Sequence, residues 1–268
     1  MKKIYTLMIA MAVTAIGWSQ TTRQWVGPVN SSWTIAANWA TVPGGTPGAP
    51  LTGDVVLFND GASKTVTNVP TIELGGLFVE NTTTVVLANA TANNRITIRN
   101  GAAALDFKID AGSVLDLAPS VGVNGVNIRL KQDEAVRGSI AGRLIINAGR
   151  EYSTNLNAVN TDVSGVIENR ALVIGNTTRL NFSNGSSYIH DLDEGDIPDA
   201  TWATASNCII RGSVFNGPRF LNRAFGNFIW DAPGQKRVTK LAASGMSIAG
   251  TFTVANTGTS QLEMDQAN

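Results

Sequence analysis

The chain has 268 residues, 43% of them hydrophobic, with 20 basic and 20 acidic residues and a formal charge of zero. A near-neutral chain whose basic residues are scattered singly has no electrostatic reason to seek nucleic acid or an anionic membrane surface. The single cysteine, Cys208, excludes an intrachain disulfide, so a core and backbone ladders must hold the fold.

Residues 1–19, MKKIYTLMIAMAVTAIGWS, read as a Sec-type signal peptide. Two lysines precede the apolar run 4–16, and Gly17 and Ser19 fit the −3 and −1 positions of a signal peptidase site, leaving Gln20 as the new terminus. A run of 13 residues is short for a bilayer span. No second long apolar run follows, so no transmembrane segment is expected in the mature chain. The expected location is secreted or cell-surface.

Residues 20–53 are a Trp/Pro/Gly-rich region, with Trp25, Trp33 and Trp39 leading into VPGGTPGAP. Indoles bury large areas, and proline removes the donor that would extend a strand ladder. The region therefore reads first as a cap over one end of the fold. The other reading makes Trp25, Trp33 and Trp39 an exposed platform for sugar rings.

From Asp54 onward the chain is a succession of short β-branched runs. DVVLF, KTVT, LGGLFVE, TVVL, RITIR, LDFKI and VLDL begin at residues 54, 64, 74, 84, 95, 105 and 114. Asn, Gly, Ala, Ser or Pro separate them, and helical periodicity is nearly absent. LIIN, GVIEN, ALVIG, RLNFSN and GTFTVAN continue the pattern. Regular spacing without two-residue hairpin turns predicts an all-β parallel β-solenoid (β-helix), with two or three strands per coil and a repeat of roughly 20–30 residues. A β-sandwich is the alternative. Solenoid coils are expected over 54–181, and a repeat-like unit over 182–268 that stops in mid-pattern, as a C-terminally truncated product would. Cys208, among apolar neighbours in NCIIRG, reads as a buried small hydrophobe.

Two stretches carry a resemblance. The first holds Trp33, Asn38, Trp39, Asp54, Val56 and Phe58 in a W-x-x-x-x-N-W element leading to D-x-V-x-F. The second holds Tyr188 and His190 as Tyr-x-His, residues 197–202 as Ile-Pro-x-Ala-Thr-Trp, and residues 225–230 as Phe-Gly-Asn-Phe-x-Trp. Both resemble repeat modules of large secreted, adhesin-like β-solenoid proteins of Bacteroidetes, many exported by the type IX system. Together they span about half the mature chain, and residues 60–180 match only in style. The resemblance implies a β-solenoid on a secreted or surface-displayed protein, and its motifs carry no known chemistry.

The one stretch that looks chemical is SSYIHDLDEGDIPDATW, residues 186–202, which holds the only histidine, His190, followed by five carboxylates. A Ser-His-Asp arrangement would have to use His190, yet no G-x-S-x-G element accompanies it. One histidine and one cysteine are too few for a closed zinc site. No Walker or Rossmann glycine pattern is present. Calcium is the remaining cofactor reading, with Asp191, Asp193, Glu194 and Asp196 as oxygen ligands and Asp199 assisting, although the spacing is not that of an EF-hand. Against it stands a polar loop with solvated carboxylates, which the sequence favours. His190 and Tyr188 fall on one side of a strand, which suits a hydrogen-bonded structural imidazole.

The expected function is a non-catalytic stalk, adhesin or matrix module, with surface glycans or extracellular matrix as partners and no nucleic acid. The alternatives are a polysaccharide-active β-helix enzyme, lyase or hydrolase, and a carbohydrate-binding module.

Overall fold

A computed structural model describes residues 20–89, 93–99, 105–118, 125–130, 136–154, 160–242 and 245–265. The proposed signal peptide lies outside the described residues. The chain winds into a parallel β-solenoid with three faces. The first face is a nine-stranded sheet, the second a ten-stranded sheet and the third a five-stranded sheet. Parallel pairing between strands of successive coils excludes the β-sandwich, whose sheets are antiparallel.

The second sheet shows the winding most clearly. Lys64, Val85, Leu115, Leu144, Ile167, Tyr188, Cys208, Phe228 and Phe252 stand in register, one per coil. Their numbers are 20 to 30 residues apart, as the sequence pattern predicts. Two residues on, Val66, Leu87, Leu117, Ile146, Asn169, His190, Ile210 and Trp230 form a second inward column. The third sheet adds Ile72, Ile96, Ile128, Tyr152 and Val173. Because side chains alternate across a strand, one register carries these apolar columns inward together. Each coil covers the apolar face of its neighbour, which is why no coil is stable alone.

The seven evenly spaced runs are all strands. LGGLFVE divides: Ile72–Leu74 closes the third face of one coil, and Gly76–Val79 opens the first face of the next. Corners between the first and second faces leave no room for a side chain. A Cβ on Gly165 would lie 2.0 Å from the Gly142 carbonyl oxygen one coil below, and one on Gly142 would lie 2.2 Å from that of Ser113.

The N-terminal region is a cap. Trp39–Val42 pairs antiparallel with Thr22–Trp25, the first strand of the stack, and so ends the parallel ladder. Trp25 and Trp33 each meet Trp39 edge-on with centroids 4.9 Å apart, and Trp39 lies 5.7 Å from Phe58. Each such pair contributes about 0.5–1.5 kcal/mol beyond the area it buries.

Beyond Ile174 the third face changes character. Stacked loops, 191–199, 211–223 and 232–238, replace its strands until Thr239–Ala242 pairs with Leu262–Asp265. Among the described residues, no helix is long and apolar enough to cross a membrane.

Candidate functional site

His190 ends the strand Ser187–His190 of the second sheet and points inward, fully buried. Three polar side chains meet there. Asn169, in register one coil below, donates from Nδ2 to the Tyr188 hydroxyl at 2.8 Å. That hydroxyl lies 3.2 Å from His190 Nδ1, and His190 Nε2 lies 2.6 Å from the Glu194 carbonyl oxygen. A carbonyl can only accept, so Nε2 carries the proton and Nδ1 is the acceptor. The Tyr188 hydroxyl therefore donates to Nδ1 and accepts from Asn169. Asn169 Oδ1 in turn accepts from the Ala171 N–H at 3.0 Å.

The relay runs in one direction with every member satisfied, as a buried polar group requires. Burial pushes the imidazole pKa below its ordinary value, against a smaller upward pull from the Glu194 hydrogen bond and from Asp196 and Asp191. Burial likewise pushes the Tyr188 hydroxyl and the Cys208 thiol well above their usual ranges. All three groups are fully buried, and both imidazole nitrogens are already hydrogen-bonded.

The five carboxylates are spent separately. Asp191 pairs with Arg170 at 3.0 Å. Asp193 Oδ1 accepts the backbone N–H groups of Val214, Phe215 and Asn216 at 2.8 to 2.9 Å. Its partial burial raises the Asp193 pKa, but these three bonds outweigh that and hold it below the usual carboxylate value. Asp196 binds Arg219 at 2.7 Å, with Glu194 3.5 Å from the same guanidinium. Asp199 binds Arg223 at 2.5 Å. Among the described residues, no three metal-ligating side chains converge, so the calcium reading of Asp191, Asp193, Glu194 and Asp196 finds no common centre. The segment is a polar loop with Asp193 and Glu194 exposed, and its carboxylates also tie loops of successive coils together.

The sugar-platform reading of Trp25, Trp33 and Trp39 is corrected by burial. Their exposures are 1%, 1% and 0%, because the indoles pack on one another and on Phe58 to close the core.

A second ionic group escapes sequence reading altogether. Glu168 faces outward on the second sheet, between Ile145 and Ile189, yet its side chain is fully covered. Arg143 and Arg170, each 44% exposed, fold over it from either side. Asp116, on the same outward column two coils below, accepts from Asn147 Nδ2 at 2.6 Å, and burial raises its pKa. The only signal was the coil period itself: counting 20 to 30 residues along the second sheet brings 116, 145, 168 and 189 into line.

Comparison with protein-family models, with curated proteins and with solved structures gives no match.

Proposed function

We propose that the chain is a secreted or surface-displayed, non-catalytic β-solenoid segment that serves as a stalk, adhesin or matrix module, akin to the adhesin-like repeat modules of Bacteroidetes that its motifs resemble. The observation that carries this reading is the consumption of chemistry-bearing side chains by the stack. The only histidine is a link in a buried relay, the only cysteine is a core residue, and the acidic segment fastens one loop to the next. The motif positions Trp33, Trp39, Val56, Phe58, Tyr188, His190, Ile197, Trp202, Phe225 and Trp230 are all buried. A motif made of core positions specifies a shape. The mechanism is geometric: coils stacked at about 4.8 Å project a stiff surface for weak, repeated contacts. The test is incubation of the purified chain with a panel of neutral and acidic polysaccharides, followed by assay for new reducing ends and unsaturated products. No turnover above a heat-inactivated control is expected, and turnover abolished by a point substitution would overturn the reading.

One observation favours a second reading, a polysaccharide-active enzyme. Asp116, Arg143, Glu168, Arg170 and Asp191 place carboxylates and guanidiniums of adjacent coils side by side on an outer face. Glu168 is sealed beneath its two arginines, so this reading requires that turnover be lost in Asp116→Asn or Asp191→Asn.

A further inference from the structure

The stacked loops of the third face hold a feature the stalk reading does not use. Phe215 and Phe220 are 47% and 52% exposed in a loop that is otherwise firmly anchored. The Phe215 N–H is the middle one of the three held by Asp193. The Phe220 backbone takes a φ of 59°, a left-handed conformation that a bulky side chain rarely adopts. Its neighbour Arg219 is fixed in both directions, donating its N–H to the Gly195 carbonyl at 2.7 Å and accepting from the Ile197 N–H at 3.1 Å. Both rings therefore project into solvent from an anchored backbone.

Cations surround them. Lys236 and Arg237 stand 5.8 and 5.4 Å from the Phe215 ring centre, and Arg223 stands 5.7 Å from that of Phe220. Lys236 is carried there by its backbone N–H, which donates to the Val214 carbonyl at 2.8 Å. Arg219 and Arg223 have carboxylate partners, whereas Lys236 and Arg237 have none among the described residues. Residues 203–242 hold six basic residues and one acidic one, although the whole chain carries 20 of each.

We propose that Phe215, Phe220, Lys236 and Arg237 form a binding surface for an acidic polysaccharide. The proposal rests on the non-catalytic module reading and names its ligand and site. A uronic acid or sulfated sugar has an apolar C–H face that stacks on a phenyl ring and an anionic group at the ring edge. At Phe215 two cations without carboxylate partners among the described residues stand over a half-exposed ring, so the open part of the ring can take the sugar face while Lys236 and Arg237 meet its anion, and Phe220 adds a second exposed ring. A loop backbone already held by hydrogen bonds loses little conformational freedom on binding. A nucleic acid is disfavoured because the chain's basic residues are scattered singly and this surface has only Lys236 and Arg237 without carboxylate partners among the described residues, too few to track a phosphate backbone. An acidic peptide would gain little from the rings without a groove for its side chains.

The test is fluorescence anisotropy of the full chain with labelled polygalacturonate and chondroitin sulfate, beside neutral dextran, polyglutamate and oligo-dT. Binding of at least one acidic polysaccharide is expected, weakening as salt rises. Phe215→Ala or Phe220→Ala should raise Kd about tenfold, and Lys236→Glu with Arg237→Glu should do at least as much. All four side chains are exposed, so unchanged melting temperatures will show that the variants fold. No binding by either polysaccharide would overturn the proposal, as would equal binding of polyglutamate or oligo-dT that is indifferent to the phenylalanine substitutions. Sizing the polymer after incubation separates the two readings: shortened polymer defeats the non-catalytic module, whereas intact but unbound polymer defeats only this surface.

Discussion

Asn169 and His190 stand in register one coil apart, and the Tyr188 hydroxyl joins them, 2.8 Å from the amide nitrogen and 3.2 Å from the imidazole. In a column otherwise filled by valine, leucine, isoleucine and tryptophan, these residues keep one polar seam through the core. Tyr188→Phe would leave a buried donor on Asn169 and a buried acceptor on His190, at a cost of about 1–3 kcal/mol. Chemical denaturation should show that loss, and a fully apolar replacement of all three residues should recover part of it.

The same relay sets a pH dependence. The folded-state pKa of His190 is depressed by burial, so the unfolded chain binds a proton that the folded chain resists. The contribution of the neutral imidazole is complete above the ordinary histidine pKa of about 6.5 and is lost as pH falls below it toward the depressed folded value. The chain has one histidine, and the raised carboxyl pKa of Asp116 contributes with the opposite sign, so a loss of stability toward mildly acid pH is assigned to His190. His190→Gln should flatten that slope, as melting curves across the range will show.

Glu168 should matter more than its outward position suggests. Glu168→Ala would leave Arg143 and Arg170 facing each other without their shared anion. The expected cost is about 2 kcal/mol, below the range for deep ion pairs because both guanidiniums are 44% exposed. Asp191→Ala, at the rim of the same group, should cost less than about 1 kcal/mol. Paired denaturation curves check the order.

Metal removal should leave the protein unchanged. Each carboxylate of residues 191–199 already faces a guanidinium or a set of backbone N–H groups, with Glu194 and Asp196 sharing Arg219. EDTA or added calcium should therefore not move the melting temperature, whereas Asp193→Ala, which frees three N–H groups at the surface, should lower stability by about 1 kcal/mol. A calcium-dependent rise would restore the cation reading.

A corner substitution tests the winding. A Cβ on Gly165 meets the Gly142 carbonyl oxygen, and backbone on both sides cannot yield cheaply. Gly165→Val is expected to cost about 3 kcal/mol or to abolish folding, against a small effect for Val166→Thr on the neighbouring strand. Expression and thermal unfolding of the two variants make the comparison.

Much of the fold was legible in the sequence because a solenoid writes its period into it. The runs from Asp54 to Leu117 recur about every ten residues since each face takes one short strand and each corner one turn. Glycine and asparagine mark the corners. The division of LGGLFVE at Gly75 was not legible, because two strands of different faces there share one apolar run. The site was legible in its composition and misleading in its arrangement. Arg170, Arg219 and Arg223 lie more than twenty residues from Asp191, Asp196 and Asp199, which they neutralise, and only the coil register brings them together. The tryptophans offered two readings because type says nothing of exposure; the edge-on packing of Trp25 and Trp33 against Trp39 decides it.

The most direct test of the structural role of the acidic histidine segment is nitrogen NMR of the single labelled imidazole, followed over pH in the folded protein. A neutral ring protonated at Nε2, with Nδ1 accepting a hydrogen bond and no titration until well below the ordinary histidine value, is the result expected from the Asn169–Tyr188–His190 relay. A ring that titrates at or above the ordinary value, or that carries its proton on Nδ1, would contradict it and return His190 to the list of groups free to act as a base.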